Sequence, residues 1–264
     1  MLTPYVRRPV ELGRLAIALL CMVSLFLGGC SLLPQASTSD GIYSTRTVHD
    51  PDGIGKFYMG REIAQVMGHQ GAYWLERSSR IWEEKTLWAI AALDLQPGEV
   101  VADIGAGTGF LSFRIAERYP DSPIYAVDVQ PEMLDILQER SEDLATHQVM
   151  PMLGSETAVN LPDNSVDMAV MLDAYHEFAY PRELMESLTH ALKPNGRAVL
   201  VEYRKENPLI PIKPAHKMSQ RQARKELRAV GLQWRETKDL LPQQHLMVFD
   251  CMPGVCGASS GAAS

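Results

Sequence analysis

The 264-residue sequence contains few cysteines and no long run of basic residues. Its net charge of −7 without such a run excludes the charge pattern of a nucleic-acid-binding protein, so no nucleic-acid partner is expected. No cysteine or histidine cluster is apparent in the predicted core, so no metal ligand is predicted. The apolar run Leu15–Leu27 is too short to span a bilayer comfortably as a helix. What is present, 46% hydrophobic and 22% charged residues, indicates one main globular domain with a tail at each end.

The N-terminus has the pattern of an export signal, since arginines precede the apolar run and small residues follow it. The stretch Leu27-Gly28-Gly29-Cys30 resembles a bacterial lipobox. This resemblance implies a signal peptide over residues 1–29, a membrane anchor through lipid on Cys30, and a location facing the periplasm. Ser31 follows Cys30. In lipoprotein sorting of this type, a residue other than aspartate at that position implies the outer membrane. The alternatives are an uncleaved signal anchor, or a misassigned start that leaves the protein in the cytoplasm.

Residues 30–50 are predicted to form a flexible tether behind the lipidated cysteine, because they are rich in small polar residues and build no core. At the other end, residues 253–264 are predicted to be a disordered tail. The spacing of Cys251 and Cys256 permits a small disulfide in an oxidising compartment.

Residues 51–94 are predicted to form an N-terminal helical lid, with a helical stretch over Glu62–Met67 and an amphipathic helix over Ser79–Leu93. The density of polar and aromatic side chains exceeds what a helix cap needs, which favours contacts with a substrate. The alternative is that the aromatic residues only pack helices onto a sheet. The substrate-side candidates in this region are Tyr58, Arg61, His69 and Trp74. Glu202, which follows a later strand, is a further substrate-side candidate.

Strands and helices alternate over residues 95–252, which are predicted to form the catalytic domain. The alternation predicts an α/β fold: a Rossmann-like, seven-stranded, mostly parallel sheet with helices on both faces and an antiparallel C-terminal edge hairpin. Ligands of such sheets bind beyond the carboxyl ends of the strands. The predicted strands are 100–103, 124–128, 149–153, 166–172, 196–202, 232–238 and 244–250, and the predicted helices are 110–118, 131–143, 182–192 and 219–229.

The stretch Val100–Phe110 predicts a ligand site. A β-branched run leads through Asp103 into a glycine-dense turn, and the amphipathic segment Leu111–Tyr119 follows at once. The glycines of the turn are Gly105, Gly107 and Gly109. They remove side chains that would keep a ligand off the backbone, and the new helix directs unpaired N–H groups into the same space. A nucleotide-like or carboxylate-bearing ligand is expected, although such turns also serve as plain connections.

Asp128 ends the next predicted strand, 25 residues after Asp103. An acidic side chain at that place can accept hydrogen bonds from both ribose hydroxyls of a nucleoside ligand. The alternative is that Asp128 only caps the helix that begins at Pro131.

Four stretches in this order resemble the class I S-adenosylmethionine-dependent methyltransferases, over roughly residues 85–249. They are Val101-Ala102-Asp103-Ile104-Gly105-Ala106-Gly107-Thr108-Gly109, Ala126-Val127-Asp128, Leu161-Pro162-Asp163-Asn164-Ser165-Val166-Asp167 and Ala191-Leu192-Lys193-Pro194-Asn195-Gly196. The resemblance implies S-adenosylmethionine as the cofactor and methyl transfer to an unidentified acceptor, expected to be a small molecule.

The resemblance also implies roles for single residues. Asp103 lies near the methionine part of the cofactor, the three glycines receive its backbone, and Asp128 with the adjacent Val129 holds the ribose. The family often carries Gly-Asp-Ala after the third strand, where the aspartate binds the adenine amino group. Ser155 and Glu156 stand there in this sequence, and one of them must serve that role.

The segment Asp173–Phe178 is predicted to be catalytic, because the same position faces the transferred methyl group in related small-molecule methyltransferases. His176 is the candidate base, and Asp173 or Glu177 is expected to orient its ring. Asp173 is also a candidate cofactor contact. Tyr175 is the third catalytic candidate. In the alternative, Tyr175 and Phe178 pack below the loop and His176 caps the next turn. Because S-adenosylmethionine is made in the cytoplasm, the alternative function is a membrane-tethered binding protein for this or a related nucleoside ligand, without turnover.

Overall fold

The computed structural model describes residues 37–39 and 41–257. The predicted signal peptide, the predicted lipidation site Cys30 and the last seven residues of the predicted tail lie outside the described residues. Among those described, no helix combines the length and the apolar character needed to cross a membrane.

The N-terminal part of the described chain is a four-stranded antiparallel sheet in the order β1-β2-β3-β4. Its strands are β1 (Ser37–Ser39), β2 (Tyr43–Arg46), β3 (Gly53–Tyr58) and β4 (Arg61–Ala64). Met59 and Gly60 join β3 to β4, and both have positive φ angles, 48° and 97°. A two-residue turn of that kind matches the twist of antiparallel strands and therefore specifies a hairpin.

This sheet corrects two predictions for the N-terminal region. The helical stretch predicted over Glu62–Met67 is wrong, because the Met59-Gly60 turn pairs β4 with β3 and Ile63 is fully buried. The tether predicted over residues 30–50 is interrupted by β2, whose Tyr43 is buried and donates a hydrogen bond to the Glu183 carboxylate. A side chain held at both its ring and its hydroxyl is part of the folded domain.

Three short helices follow, and the last two replace the single amphipathic helix predicted over Ser79–Leu93. They are α1 (Ala72–Leu75), α2 (Arg80–Glu83) and α3 (Thr86–Ala92). Lys85 has a left-handed conformation with φ 53°, which ends α2 and begins α3 in a new direction.

The main sheet has seven strands in the order β10-β11-β9-β8-β5-β6-β7. Its strands are β5 (Val101–Ile104), β6 (Ile124–Asp128), β7 (Val149–Leu153), β8 (Val166–Leu172), β9 (Leu192–Tyr203), β10 (Leu232–Lys238) and β11 (Gln244–Cys251). The five strands β5 to β9 pair in parallel, whereas β11 is antiparallel to both β9 and β10. The predicted Rossmann-like sheet with its antiparallel edge hairpin is confirmed. The order reverses between β5 and β8, so a crevice opens at their carboxyl ends.

Helices cover both faces of this sheet, as predicted from the alternation of elements. They are α4 (Phe110–Arg118), α5 (Pro131–Asp143), α6 (Pro181–Ala191) and α7 (Gln220–Arg228). On one face, Ala102 and Ile104 of β5 belong to the same core as apolar residues of α6 and α7. On the other face, Val101 belongs to a core with residues of α3, α4 and α5. Alternate side chains of one strand thus supply two cores, as the pleat of a strand requires.

The chain after β11 is held to the domain as far as residue 257. Cys251, at the end of β11, forms a disulfide with Cys256. The Gly257 carbonyl accepts a hydrogen bond from the Asn164 side chain at 2.9 Å. The first five residues of the predicted tail therefore turn back onto the main sheet.

Candidate cofactor cavity

A cavity of about 290 Å³ opens at the carboxyl ends of β5, β6 and β8. Three aspartates converge on it, Asp103 and Asp128 from the ends of β5 and β6 and Asp173 from the residue after β8. All three belong to the predicted site. The remaining wall comes from the glycine loop, from the residues that follow β7, and from the N-terminal segment, so distant parts of the chain enclose one space.

The glycine loop brings backbone, without side chains, to the cavity wall. Gly105 and Gly107 line the cavity, and both have positive φ angles, 75° and 55°. A Cβ atom on Gly105 would lie 2.7 Å from the Cβ of Ala174, closer than two such atoms can approach, so a larger residue would not fit at this place in the wall. The Gly105 N–H donates to the Val127 carbonyl and the Gly109 N–H to the Ala106 carbonyl, both at 2.9 Å. The loop therefore allows close approach of a ligand, while the N–H groups of Gly105 and Gly109 are already paired within the protein.

Asp128 ties the second predicted motif to the first. Its Oδ2 accepts a hydrogen bond from the Gly107 N–H at 2.8 Å, and its Oδ1 accepts one from the Gln130 N–H at 2.9 Å. Burial raises the pKa of the carboxyl, and the backbone donors counteract that rise. Each carboxylate oxygen can accept a further bond, so the residue is able to bind hydroxyl groups while it fixes the loop.

Asp103 lies at the base of the cavity and is almost fully buried. Its Oδ2 accepts a hydrogen bond from the Ser112 hydroxyl of α4 at 2.6 Å. Burial raises the pKa of Asp103 to about 6 despite that donor, and the neighbouring Asp128 adds to the rise. A buried carboxylate of this kind would be stabilised by a cationic ligand group.

Asp173 and Arg80 form the most polar part of the wall. Asp173 has a left-handed backbone with φ 51°, and its buried Oδ1 has no hydrogen-bond partner among the described residues. Burial, Glu84 and Glu202 raise the pKa of Asp173 well above its usual range. Arg80 lies 3.8 Å from Asp173 Oδ2 and stacks on the Phe110 ring at 4.1 Å. An unsatisfied acceptor beside a guanidinium suits a ligand that carries both an amine and a carboxylate.

Sequence reasoning missed Arg80, which is only 5% exposed and lines the cavity. The available local signal was its four-residue spacing from Glu84, with which it pairs at 3.0 Å. That spacing is equally typical of a solvent-exposed helix face, so it did not identify a buried cation.

Val129, which follows β6, lines the cavity. The residues after β7 supply another part of the wall. Ser155 and Glu156 both line the cavity. The Ser155 hydroxyl oxygen accepts a hydrogen bond from the Ala158 N–H at 3.0 Å, so it already stabilises the local turn. Glu156 is exposed to solvent, and its carboxylate is the stronger acceptor of the two.

His176 lies in a buried cluster behind the cavity wall and does not line the cavity. Its Nδ1 lies 2.6 Å from Glu202 Oε2, and its Nε2 lies 3.2 Å from His216 Nδ1. Burial alone would lower the pKa of His176, but the Glu202 carboxylate raises it to about 9. Glu202, predicted as a substrate contact, is therefore the group that orients His176. Asp173 makes no hydrogen bond to the ring, and Glu177 lies 3.8 Å from Nε2 and lines the cavity.

Tyr175 and Arg61 meet in a buried ionic network below the cavity. The Tyr175 hydroxyl donates to Glu226 at 2.9 Å, and Arg61 forms two hydrogen bonds with the same carboxylate, at 2.8 and 2.9 Å. Arg61 also donates to the His176 carbonyl at 3.0 Å. Neither Tyr175 nor Arg61 lines the cavity. These contacts join β4, α7 and the turn after β8 beneath the candidate site.

The other substrate-side candidates also lie off the cavity wall. Tyr58 is buried against the Tyr43 ring, His69 donates its backbone N–H to Gln130, and Trp74 is 46% exposed under the Arg77 guanidinium. The N-terminal segment nevertheless contributes to the cavity through different residues. They are Ile54, Ala64, Val66, Met67, Leu75 and Arg80.

The centre of the chain is similar in sequence to methyltransferases. Residues 101–196 match the family model described as "Methyltransferase domain". An uncharacterized methyltransferase-like protein of Schizosaccharomyces pombe is 35% identical over 116 residues, which cover 44% of this chain and 43% of the relative. An uncharacterized methyltransferase of Mycobacterium tuberculosis is 40% identical over 101 residues, which cover 38% of each chain. The matches thus span about two fifths of the length of these relatives.

The structural comparison concerns the fold. A SAM-dependent methyltransferase from Aquifex aeolicus has a TM-score of 0.67 at 22% identity, and the match covers 71% of this chain and 100% of that chain. A putative type 11 methyltransferase from Sulfolobus solfataricus has a TM-score of 0.53 at 19% identity, with 64% and 94% covered. The chain therefore has the class I methyltransferase fold, and its match to the methyltransferase domain implies S-adenosylmethionine as the cofactor.

Proposed function

We propose that the protein is an S-adenosylmethionine-dependent methyltransferase that acts on a small molecule. The observation that carries the proposal is the cavity at the carboxyl ends of β5, β6 and β8, where Asp103, Asp128 and Asp173 converge. The cavity lies where the strand order reverses, which is the place at which open α/β sheets bind their ligands.

The residues present fit each part of this cofactor. Glu156 is the proposed acceptor for the adenine amine and Asp128 for the ribose hydroxyls, with Val129 beside them. The unsatisfied Oδ1 of Asp173 and the buried Asp103 match the ammonium group of the methionine part, and the Arg80 guanidinium matches its carboxylate. Gly105 lines the cavity where a Cβ would clash with Ala174, so backbone alone faces the cofactor at this place.

The cofactor, when bound, would supply a methyl group on a sulfonium, which passes to a nucleophilic atom of the acceptor by in-line displacement of the neutral thioether. The protein then has to align the acceptor and exclude water. Apolar side chains of the N-terminal segment and of the turn after β8, such as Met67, Leu75 and Phe178, form much of the wall and serve both tasks. For an acceptor that must lose a proton, Glu177 is the proposed base, because its carboxylate lines the cavity. His176, which Glu202 orients, lies 3.8 Å behind that carboxylate and does not reach the cavity.

The apolar wall favours an acceptor with an apolar body. A demethylmenaquinone methyltransferase of Symbiobacterium thermophilum is 32% identical over 128 residues, which cover 46% of this chain and 49% of that protein. We infer that apolar ring compounds are the first class of acceptor to test.

We further propose that the protein is an exported lipoprotein with lipid on Cys30. The lipobox-like stretch before Cys30 supports this proposal, as does the Cys251–Cys256 disulfide, since disulfides persist in oxidising compartments. Palmitate labelling that disappears in Cys30→Ser would support it. Labelling that persists in that variant, or none in the wild type, would contradict it.

Turnover is tested by incubating the full chain in detergent with S-adenosylmethionine and fractionated small-molecule extracts. Mass spectrometry then detects S-adenosylhomocysteine and a product heavier by one methylene. The proposal predicts formation of both, and their loss in Asp128→Ala. Cofactor binding without turnover in any fraction would favour the tethered binding protein instead.

A further inference from the structure

We propose that His176, Glu177 and His216 form a binding site for a divalent transition-metal ion of the zinc class. His176 and Glu177 belong to the turn after β8, and His216 comes from the loop between β9 and α7. His176 Nε2, His216 Nδ1 and Glu177 Oε1 lie close together, at 3.2 Å between the two histidines, 3.3 Å from His216 to Glu177 and 3.8 Å from His176 to Glu177.

Two of these three separations match the ligand shell of a tetrahedral ion, and the third is a few tenths of an ångström longer. Zinc binds imidazole nitrogen and carboxylate oxygen at about 2.0–2.2 Å, so two of its ligand atoms lie about 3.3–3.5 Å apart. The three atoms therefore lie near three corners of such a shell, and Glu177 Oε1 would have to move a few tenths of an ångström toward His176 Nε2 for an ion to bind.

Neighbouring groups orient two of the three ligands. Glu202 Oε2 lies 2.6 Å from His176 Nδ1, which leaves Nε2 directed at the site. The Met67 N–H donates to Glu177 Oε2 at 3.2 Å, which leaves Oε1 directed at the site. A carboxylate on the far nitrogen of a histidine ligand is typical of metal centres, where it fixes the tautomer and raises the basicity of the ring. The ion would displace the proton on Nε2 when it binds.

The donor set selects the class of ion. Two imidazoles and one carboxylate suit zinc and related first-row ions, whereas magnesium and calcium prefer oxygen ligands. The side chains of His216 and Glu177 are 21% and 15% exposed, so an ion can enter. Three protein ligands also leave a coordination position for water or another oxygen ligand.

The position of Glu177 connects this site to the cavity. Glu177 lines the cavity and is also a proposed ligand, so an ion would lie beside the cavity wall. There it would lower the pKa of an acceptor hydroxyl, so that the hydroxyl loses its proton more readily. That use rests on the proposed function, whereas ion binding itself does not.

The test uses the full chain in detergent, treated with chelator and carrying Cys21→Ser and Cys30→Ser, which remove the thiols outside the disulfide. Zinc binding is measured by calorimetry and by elemental analysis after dialysis. We expect one zinc per chain. Affinity should fall at least about 100-fold in His216→Ala and in Glu177→Gln, and about 10- to 100-fold in Glu202→Gln. His147→Ala, which removes an exposed histidine, is the matched control and should bind as the parent does.

Visible absorption of the cobalt-substituted protein gives a second readout, since nitrogen and oxygen ligands in a tetrahedral site produce a spectrum that aqueous cobalt lacks. We expect His216→Ala to lose this spectrum while its circular dichroism stays that of the parent. No zinc binding by the folded parent would overturn the proposal, as would equal affinity in His216→Ala and the parent. Tighter binding of magnesium than of zinc would overturn the assigned class of ion. Because these readouts need no methyl transfer, their failure is separate from a failure of the proposed function.

Discussion

The Gly107 N–H donates a hydrogen bond to Asp128 Oδ2 at 2.8 Å. This bond joins the loop after β5 to the end of β6, so the two most specific motifs of the sequence form one structural unit. Asp128 therefore has two tasks in the proposed site: it fixes the glycine loop and presents acceptors to a ribose.

Replacement of Asp128 should weaken cofactor binding. Hydrogen bonds to a charged group contribute about 1.5–3 kcal/mol each, so Asp128→Asn should reduce the affinity for S-adenosylhomocysteine by about 10- to 100-fold. Calorimetry measures the change, and Asp121→Asn, at an exposed turn, is the control. An unchanged affinity in Asp128→Asn would remove the ribose role.

Asp103 should make the unfolding free energy depend on pH. Burial raises its pKa from 3.8 to about 6, so the folded protein binds the proton more tightly than the unfolded chain does. The contribution of this group to stability is then fully present below about pH 4 and is lost as the pH rises through about 6, by at most about 3 kcal/mol.

The measurement is chemical denaturation of the wild type and of Asp103→Asn between pH 4 and pH 8. The two proteins are compared because the other carboxyls titrate in both, so the difference between their unfolding free energies isolates Asp103. The amide carries no charge, so the variant should gain stability relative to the wild type as the pH rises. A difference between the two proteins that stays constant with pH would show that Asp103 is not perturbed.

The buried Arg61–Glu226 pair should be costly to break. Arg61→Met leaves the Glu226 carboxylate unpaired in the protein interior, and the free energy of unfolding should fall by about 3–5 kcal/mol. The double variant Arg61→Met, Glu226→Leu should recover part of that loss. Arg182→Met, which breaks an exposed pair with Glu186, is the matched control and should cost less than about 1 kcal/mol. Equal losses in both single variants would contradict the buried network.

The Cys251–Cys256 disulfide should give a modest gain in stability, because it closes a short loop. The cysteines are five positions apart, for which chain entropy predicts about 2 kcal/mol. Urea unfolding of Cys251→Ala, Cys256→Ala should show that loss, and reductant should destabilise the wild type but leave the double variant unchanged. A reductant effect on both proteins would point to another cause.

The main sheet could be predicted because its signals are local. The glycine turn after β5 and the acidic end of β6 specify strand–loop–helix units by themselves, and the predicted strands match the observed ones closely. The β3–β4 hairpin could not be predicted, since its turn is Met59-Gly60, and a methionine with positive φ carries no turn signal.

The candidate site was predictable only in part for a related reason. Asp103, Asp128 and Asp173 follow strands and could be assigned to one edge of the sheet. Arg80 reaches the cavity through the N-terminal segment, and His216 reaches His176 across 40 positions of the chain. Such approaches depend on tertiary packing, which leaves no periodic pattern in the sequence.

The proposed cofactor site is best tested by measuring the binding of S-adenosylmethionine and S-adenosylhomocysteine to the full chain. Calorimetry in detergent should show one ligand per chain with a dissociation constant in the micromolar range. Gly105→Val should abolish binding, because a Cβ at this positive-φ position would clash with Ala174 and distort the cavity wall. If the folded wild-type protein gave no binding heat and no thermal stabilisation with S-adenosylmethionine or with S-adenosylhomocysteine, the proposed cofactor site would be contradicted.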